Sequence, residues 1–339
     1  MAEQRTSRPV LWVLLGLAMG LFIPLFLFGA TMLIGVLTFT LAGPTLTRLA
    51  GPTTSPIVAE HRSGPTRGPA VAVITITGPI VTGRVPPSNA DRIAATENVL
   101  ELVRRASEDR DVRAIVLRVN SPGGSVVASD EIYYALKQVE KPLVVYMEEM
   151  AASGGFYISM AADYIVANPN TLTGSIGVIS QFPKARELLD KLGIEFVIIK
   201  SGEFKDAGHF AEPMSEEEKA WWQRLIGEAH ERFVQVVAEG RNLPVERVRE
   251  LADGRVFTGR QALEVGLIDA VGYYDDAVDK AAQLGDIKRE PRVVEYRYAR
   301  PLSLFDLFSF RAADASTLLG FPVDLGRLLM PSLEYRWEP

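Results

Sequence analysis

The pattern of apolar and charged positions divides the chain before any single residue is weighed. From Val10 to Ala42 no charged residue occurs: VLWVLLGLAMGLFIPLFLFGATMLIGVLTFTLA. A spanning helix needs about 20 apolar residues, whereas the apolar core of a cleaved secretory signal takes about 7–15. The run therefore reads as a retained anchor, either one tilted span or a span followed by an interfacial segment, with Pro24 placed to kink it. A helical hairpin is the competing reading, although each half is short for a span. Arg5 and Arg8 precede the run, which favours a cytoplasmic N-terminus and an extracytoplasmic domain at the cell membrane. Gly16 and Gly20 give a GxxxG spacing that suits helix pairing. The next stretch, GPTTSPIVAEHRSGPTRGP (residues 51–69), has no apolar period and predicts a linker, with His61 a solvated residue inside it.

Beyond residue 69 the period becomes that of a folded domain. AVAVITIT (70–77), VRAIVLRVN (112–120), PLVVYM (142–147), DYIVAN (163–168) and IEFVIIK (194–200) read as strands. Helical spacing covers Ala90 to Ser107, Asp130 to Val139, Ser153 to Ala162 and PKARELLDKLG (183–193). A long helix starts at Ser215, where Ser215 and Glu218 form a capping box, and runs to about Gly240. Short apolar strands alternating with helices predict a largely parallel sheet covered by helices. After Arg300 the segments PLSLFDLFSF and LLGFPVDLGRLLMPSLEYRW are apolar and aromatic without a strand period. They suit a neighbouring subunit, a membrane surface or a peptide groove, and the sequence does not select among these. The expected organisation is a stub and anchor over 1–43, a linker over 44–69, a catalytic domain over 70–300 and a tail over 301–339.

Composition narrows the chemistry. Of 339 residues 47% are hydrophobic and 23% charged, enough to bury a core, and the net charge of −6 argues against nucleic acid as a partner. There are no cysteines, which excludes disulfides, thiolate metal sites and cysteine nucleophiles. The three histidines are His61, His209 and His230, the last on a charged and solvent-facing helix.

Two glycine-containing turns carry the candidate chemistry. NSPGGS (120–125) ends a strand and opens a helix, and its glycines let backbone N–H groups converge on a phosphate or a developing oxyanion. No Gly-Lys-Ser/Thr follows, so it is not a Walker loop, and no GxGxxG is present. Ser153, in MAASGGFYISMAADYI, stands at a helix N-terminus after a buried-looking strand. A serine there serves either as a helix cap or as a nucleophile favoured by the helix dipole. Two glycines directly after a cap weaken the helix, whereas a site needing clearance for a substrate backbone explains them. A serine nucleophile needs a base. His209 and Lys205, both in KSGEFKDAGHF, are the candidates, and spacing does not separate them. A lysine acts as a base only when desolvation keeps it neutral, and Asp206 beside it must point away or be engaged elsewhere.

The blocks NSPGGS, MAASGGFYISMAADYIVANPNTLTGSIGVI, KSGEFKDAGHF…PMSEEE and VFTGRQALEVGLIDAVG, in this order, resemble the signal peptide peptidase A family over roughly Ala70 to Leu284. The length is similar to that of its single-copy members. The resemblance implies an α/β fold of the ClpP/crotonase type, a repeated ββα spiral behind an N-terminal transmembrane helix. It implies Ser153 as nucleophile, Lys205 as general base and Ser175 as the serine that orients the lysine amine. It also implies an oxyanion hole at Gly124, with the N–H of Ser153 as partner and Gly123 shaping the turn. No metal or cofactor is implied. Expected partners are remnant signal peptides or other apolar peptides, the membrane, and further copies of the chain in a ring. The departure is KDAGHF, where an ordinary loop residue is expected in place of His209. VFTGRQALEVGLIDAVG reads as structural, Asp269 fixing a turn. Two other classes compete: an inactive membrane scaffold of the same fold, and an acyl-CoA-processing crotonase-type enzyme, which the anchor and the Ser/Lys pair disfavour.

Overall fold

Residues 57–299 and 334–336 are described by a computed structural model; the apolar run, with its choice between span and hairpin, and residues 300–333 lie outside them. The strands, in chain order, are β1 (Ile57–Ser63), β2 (Ala70–Thr77), β3 (Ile80–Val81), β4 (Ala94–Ala95), β5 (Val112–Ser121), β6 (Gly123–Ser125), β7 (Leu143–Ala152), β8 (Tyr164–Ala167), β9 (Leu172–Gly174), β10 (Val256–Thr258), β11 (Ala270–Val271), β12 (Arg292–Tyr298) and β13 (Glu334–Arg336). The helices are α1 (Thr96–Glu108), α2 (Val126–Lys137), α3 (Gly154–Ser159), α4 (Arg186–Leu192), α5 (Glu216–Arg241), α6 (Val245–Leu251), α7 (Gly259–Glu264) and α8 (Tyr274–Leu284).

The main sheet has the order β1-β12-β2-β5-β7-β8-β11, with β9 pairing β7 and β10 pairing β9. Its centre is parallel, as the apolar runs predict: β2, β5, β7 and β8 pair in parallel, while β1–β12 and β9–β10 are antiparallel. Both faces are covered. Ala70, Ala72, Ile74 and Ile76 of β2 join a core with α1, α2, α3 and α5, while Val71 and Val73 pack with Ala277, Val278 and Ala281 of α8. That two-sided burial is why β2 is apolar at nearly every position. A second sheet, β13-β6-β3-β4, stands at the C-terminal end of β5 and carries Gly123 and Gly124. The result is the mixed α/β fold that the pattern predicts.

Three expectations change. The stretch read as a linker contains β1, which pairs with β12 from Ile57–Tyr298 to Ser63–Val293. The domain therefore begins well before Ala70, and His61 is an exposed strand residue whose Nε2 lies 3.1 Å from the Gly64 carbonyl. Helix α1 starts at Thr96 rather than near Ala90, the intervening residues forming a short turn and β4. IEFVIIK forms no strand, because no edge among the described residues pairs with it; Val197 is 81% and Ile199 96% exposed. Among the described residues, no helix is long and apolar enough to cross a membrane.

Candidate active site

The site forms where β5, β7 and β9 end side by side. In the parallel β7–β9 pair, Ala152 lies opposite Gly174, so Ser153 and Ser175 are the residues with which the two adjacent strands leave the sheet. Both take a left-handed backbone, φ 50° in each case. Outside glycine that conformation costs on the order of 1–3 kcal/mol and persists only where the surroundings impose it. The surroundings here are specific. The Ser153 N–H donates to the Gly174 carbonyl at 2.8 Å, and the Ser175 N–H donates to the Arg255 carbonyl at 2.9 Å. Thr173 Oγ1 donates to the Ala151 carbonyl at 2.7 Å, tying β9 to β7 one residue before the two serines.

Ser153 is 1% exposed, and its Oγ has no hydrogen-bond partner among the described residues. It occupies the N-cap of α3, yet its side chain caps nothing. A cap serine gains its stabilisation by accepting from the first turn. An unpaired buried hydroxyl instead costs about 1–3 kcal/mol. The cap role is thereby excluded, and what is left is a hydroxyl held without a partner on a strained strand-to-helix turn. Gly155 has a packing reason that the sequence does not suggest. A Cβ on Gly155 would fall 2.7 Å from the chain's own Ser121 carbonyl oxygen, so this glycine lets α3 close on the end of β5.

Facing α3 is β6, which brings Gly123 and Gly124 to the same end. Gly124 has φ 156°, and a Cβ there would fall 2.0 Å from the Ile80 carbonyl oxygen, so only glycine fits the turn. Ser121, which the sequence reading passed over, organises it. Its Oγ donates to the Gly78 carbonyl at 2.7 Å and accepts from the Gly123 N–H at 3.1 Å. The position is legible only as the last residue of a strand, so no sequence signal marks it. One expectation is corrected here: the Ser153 N–H, committed to Gly174, is not a free oxyanion donor. The opening N–H groups of α3, from Gly154 onward, have no intrahelical acceptor and lie beside the hydroxyl.

Lys205 is not brought to Ser153 within the chain. It is exposed in a 3₁₀ turn (Glu203–Asp206), and the unpaired Ser153 Oγ has no contact with it. Asp206 is engaged elsewhere, as a lysine base would require: its carboxylate bonds Lys200 Nζ at 2.7 Å, and that bond holds its pKa below the ordinary carboxylate range. His209 belongs to local structure. Its Nδ1 accepts from the Ala211 N–H at 3.3 Å, and its ring packs on Phe210 and Phe196. His230 is not solvent-facing; it is half-buried with Nε2 2.8 Å from the Ala252 carbonyl. Asp269 has the structural role expected of it, accepting from the Ile165 N–H at 2.8 Å and pairing with Arg241.

Comparison with known proteins follows these blocks. Residues 135–288 match peptidase family S49 and residues 85–173 match Clp protease. The slr0021 protein of Synechocystis sp., a candidate protease by name, is 41% identical over 227 residues, covering 66% of this chain and 77% of its own. Protease 4 of Haemophilus influenzae is 35% identical over 70% of this chain and 38% of its own length. The chloroplastic serine protease SPPA of Arabidopsis thaliana is 35% identical over 70% of this chain and 36% of its own. The ClpP-like α/β domain, the two adjoining serines and these relatives agree: the chain belongs to peptidase family S49, the signal peptide peptidase A family, and is a serine peptidase.

Proposed function

We propose that the chain is a membrane-bound endopeptidase that hydrolyses remnant signal peptides or other apolar peptides through a Ser153–Lys205 dyad. The observation that carries this reading is the Ser153 hydroxyl, buried and unpartnered on a left-handed turn beside Ser175. In the proposed reaction the neutral Lys205 amine takes the Ser153 proton as Oγ attacks the scissile carbonyl. The Gly124 N–H, with the first N–H groups of α3, stabilises the oxyanion. The C–N bond breaks as Lys205 returns the proton to the leaving amine, giving an acyl-ester on Ser153. Water then gives a proton to the same amine, attacks the ester and releases the acid and the free serine. Ser175 accepts or donates at the lysine amine and fixes its direction.

The dyad is assembled between subunits in this reading. Support comes from the empty hydrogen-bonding position at Ser153 Oγ, from the exposure of Lys205, and from the exposed apolar run Ile194, Phe196, Val197 and Ile199 that precedes it. A ring of copies would cover that run and deliver each lysine to a neighbour's serine. The membrane anchor over Val10–Ala42, its cytoplasmic N-terminus and the extracytoplasmic placement of the domain belong to the same proposal and rest on the sequence pattern, as does the ββα spiral on the resemblance. The first test is a serine-reactive fluorophosphonate probe on the full chain in detergent. Covalent labelling mapped to Ser153, and lost in Ser153→Ala, is expected; an unlabelled Ser153 favours the inactive scaffold.

A further inference from the structure

Two helices leave the site, one from each half of its machinery. α2 is capped by Ser125, directly after the oxyanion turn at Gly123 and Gly124, and α3 opens directly after Ser153. How these helices are held together therefore bears on where the nucleophile stands relative to the oxyanion donors. α3 holds itself poorly. It has six residues, two of them glycine, and Ser153 at its head makes no side-chain bond to it. Glycine weakens a helix, and a helix this short is not stable alone. Yet Ser153 keeps a left-handed backbone, which persists only where the surroundings impose it.

Tyr157 supplies the constraint. Its N–H donates to the Ser153 carbonyl at 2.8 Å, closing the first turn on the nucleophile. Its side chain is fully buried. The ring meets Tyr133 of α2 edge-on at 5.4 Å and Phe233 of α5 at 5.1 Å. The phenol donates to Asp130 Oδ1, also on α2. Arg232 of α5 donates to the same oxygen at 3.3 Å and holds the carboxylate in place. A bond to an ionised carboxylate is stronger than one between neutral groups. This one joins the helix of the oxyanion turn to the helix of the nucleophile, and the ion pair fastens both to α5. We propose that Tyr157 is a positioning residue: through Asp130, steadied by Arg232, it fixes Ser153 Oγ relative to the Gly124 N–H. The inference rests on the peptidase reading of Ser153 and Gly124. Being buried, the Tyr157 side chain meets no substrate, so its influence passes through α3 alone.

The test compares the full chain in detergent with Tyr157→Phe, which keeps the ring and its packing and removes only the phenol. Cleavage of an apolar peptide gives kcat and KM. Fluorophosphonate labelling run to completion counts the sites, so a loss of folded protein drops out of kcat. Misplacement of a reacting group by about 1 Å can cost roughly a hundredfold in rate. Tyr157→Phe is therefore expected to lower kcat per site by roughly ten- to a hundredfold with KM unchanged. Asp130→Ala shows a similar loss, and Asp130→Asn, which keeps an acceptor oxygen, a smaller one. The double variant Tyr157→Phe and Asp130→Ala is no slower than the slower single variant, because both remove the same bond. A Tyr157→Phe chain with the parental kcat per site overturns the proposal, as do single losses that multiply in the double variant. A parent that neither labels at Ser153 nor cleaves refutes the peptidase reading, and the positioning role falls with it. A parent that does both, beside an unimpaired Tyr157→Phe, sinks the positioning role alone.

Discussion

At the scale of single residues, the unpartnered hydroxyl and the exposed amine define the expected phenotypes. Ser153→Ala and Lys205→Ala each abolish peptide hydrolysis, while His209→Ala retains most of it, because the His209 ring is spent on the turn around Ala211 and on Phe210. Steady-state peptide cleavage checks this; a His209→Ala as inactive as Lys205→Ala would sink the Ser–Lys assignment. The activity of the parent rises with pH through one ionisation, since only the neutral amine accepts the serine proton. Ser175→Ala lowers the rate and displaces that profile, and an unchanged profile at full rate removes its orienting role. Gly155→Ala, which drives a methyl toward the Ser121 carbonyl, lowers stability by about 1–3 kcal/mol in denaturant titration and reduces labelling of Ser153. Ser153 and the paired glycines stand out in the chain because small residues at strand-to-helix breaks mark them, whereas Ser175 came only from the family resemblance. Ser121 was not, since a hydroxyl at a strand end carries no mark of the carbonyl and amide it will join. Nor could spacing tell that Gly155 answers to packing rather than to substrate.

At the scale of elements, the parallel centre was readable from apolar runs, and the edges were not. β1 escaped because its partner lies more than two hundred residues away and its residues, IVAEHRS, have only one face to bury. IEFVIIK carried the opposite error: its β-branched residues find no edge to pair with among the described residues and form no strand. Strand β12, held between β1 and β2, is fastened to α1 and its C-terminal cap by two phenols. The Tyr296 hydroxyl donates to Asp109 at 2.6 Å and the Tyr298 hydroxyl to Glu101 at 2.9 Å. Burial, then the bond to Glu101, pushes the Tyr298 phenol up to about 12. Burial pushes both carboxyls up, but the phenol bonds together with the other bonds and charges around them outweigh it and leave both below the ordinary range. Lowered folded-state pKa values mean stability that is present above the unfolded carboxylate range and lost as pH falls through the folded values. The double variant Tyr296→Phe and Tyr298→Phe is therefore destabilised near neutrality, by about 1 kcal/mol per bond, and shows a shallower acid limb in thermal melts across pH 3–6. An acid limb as steep as the parent's contradicts the role of the two phenols.

At the scale of the whole molecule, the question is whether one chain is catalytically complete. Mixing detergent-solubilised Ser153→Ala with Lys205→Ala, each inactive alone, should restore part of the hydrolysis once subunits exchange, because some contacts then join an intact serine to an intact lysine. Verified exchange without recovered activity leaves each chain with its own dyad. The order of the sheet has a consequence of another kind, one of timing. β9, which aligns Ser175 beside Ser153, is held by β10, more than eighty residues later, and β1 finds its partner only in β12, at residues 292–298. A ribosome therefore releases Ser153 long before it releases β10 and β12, which complete the sheet. Until those strands emerge, Ser153 stands in an unfinished sheet, so the last step in shaping its surroundings comes late in synthesis.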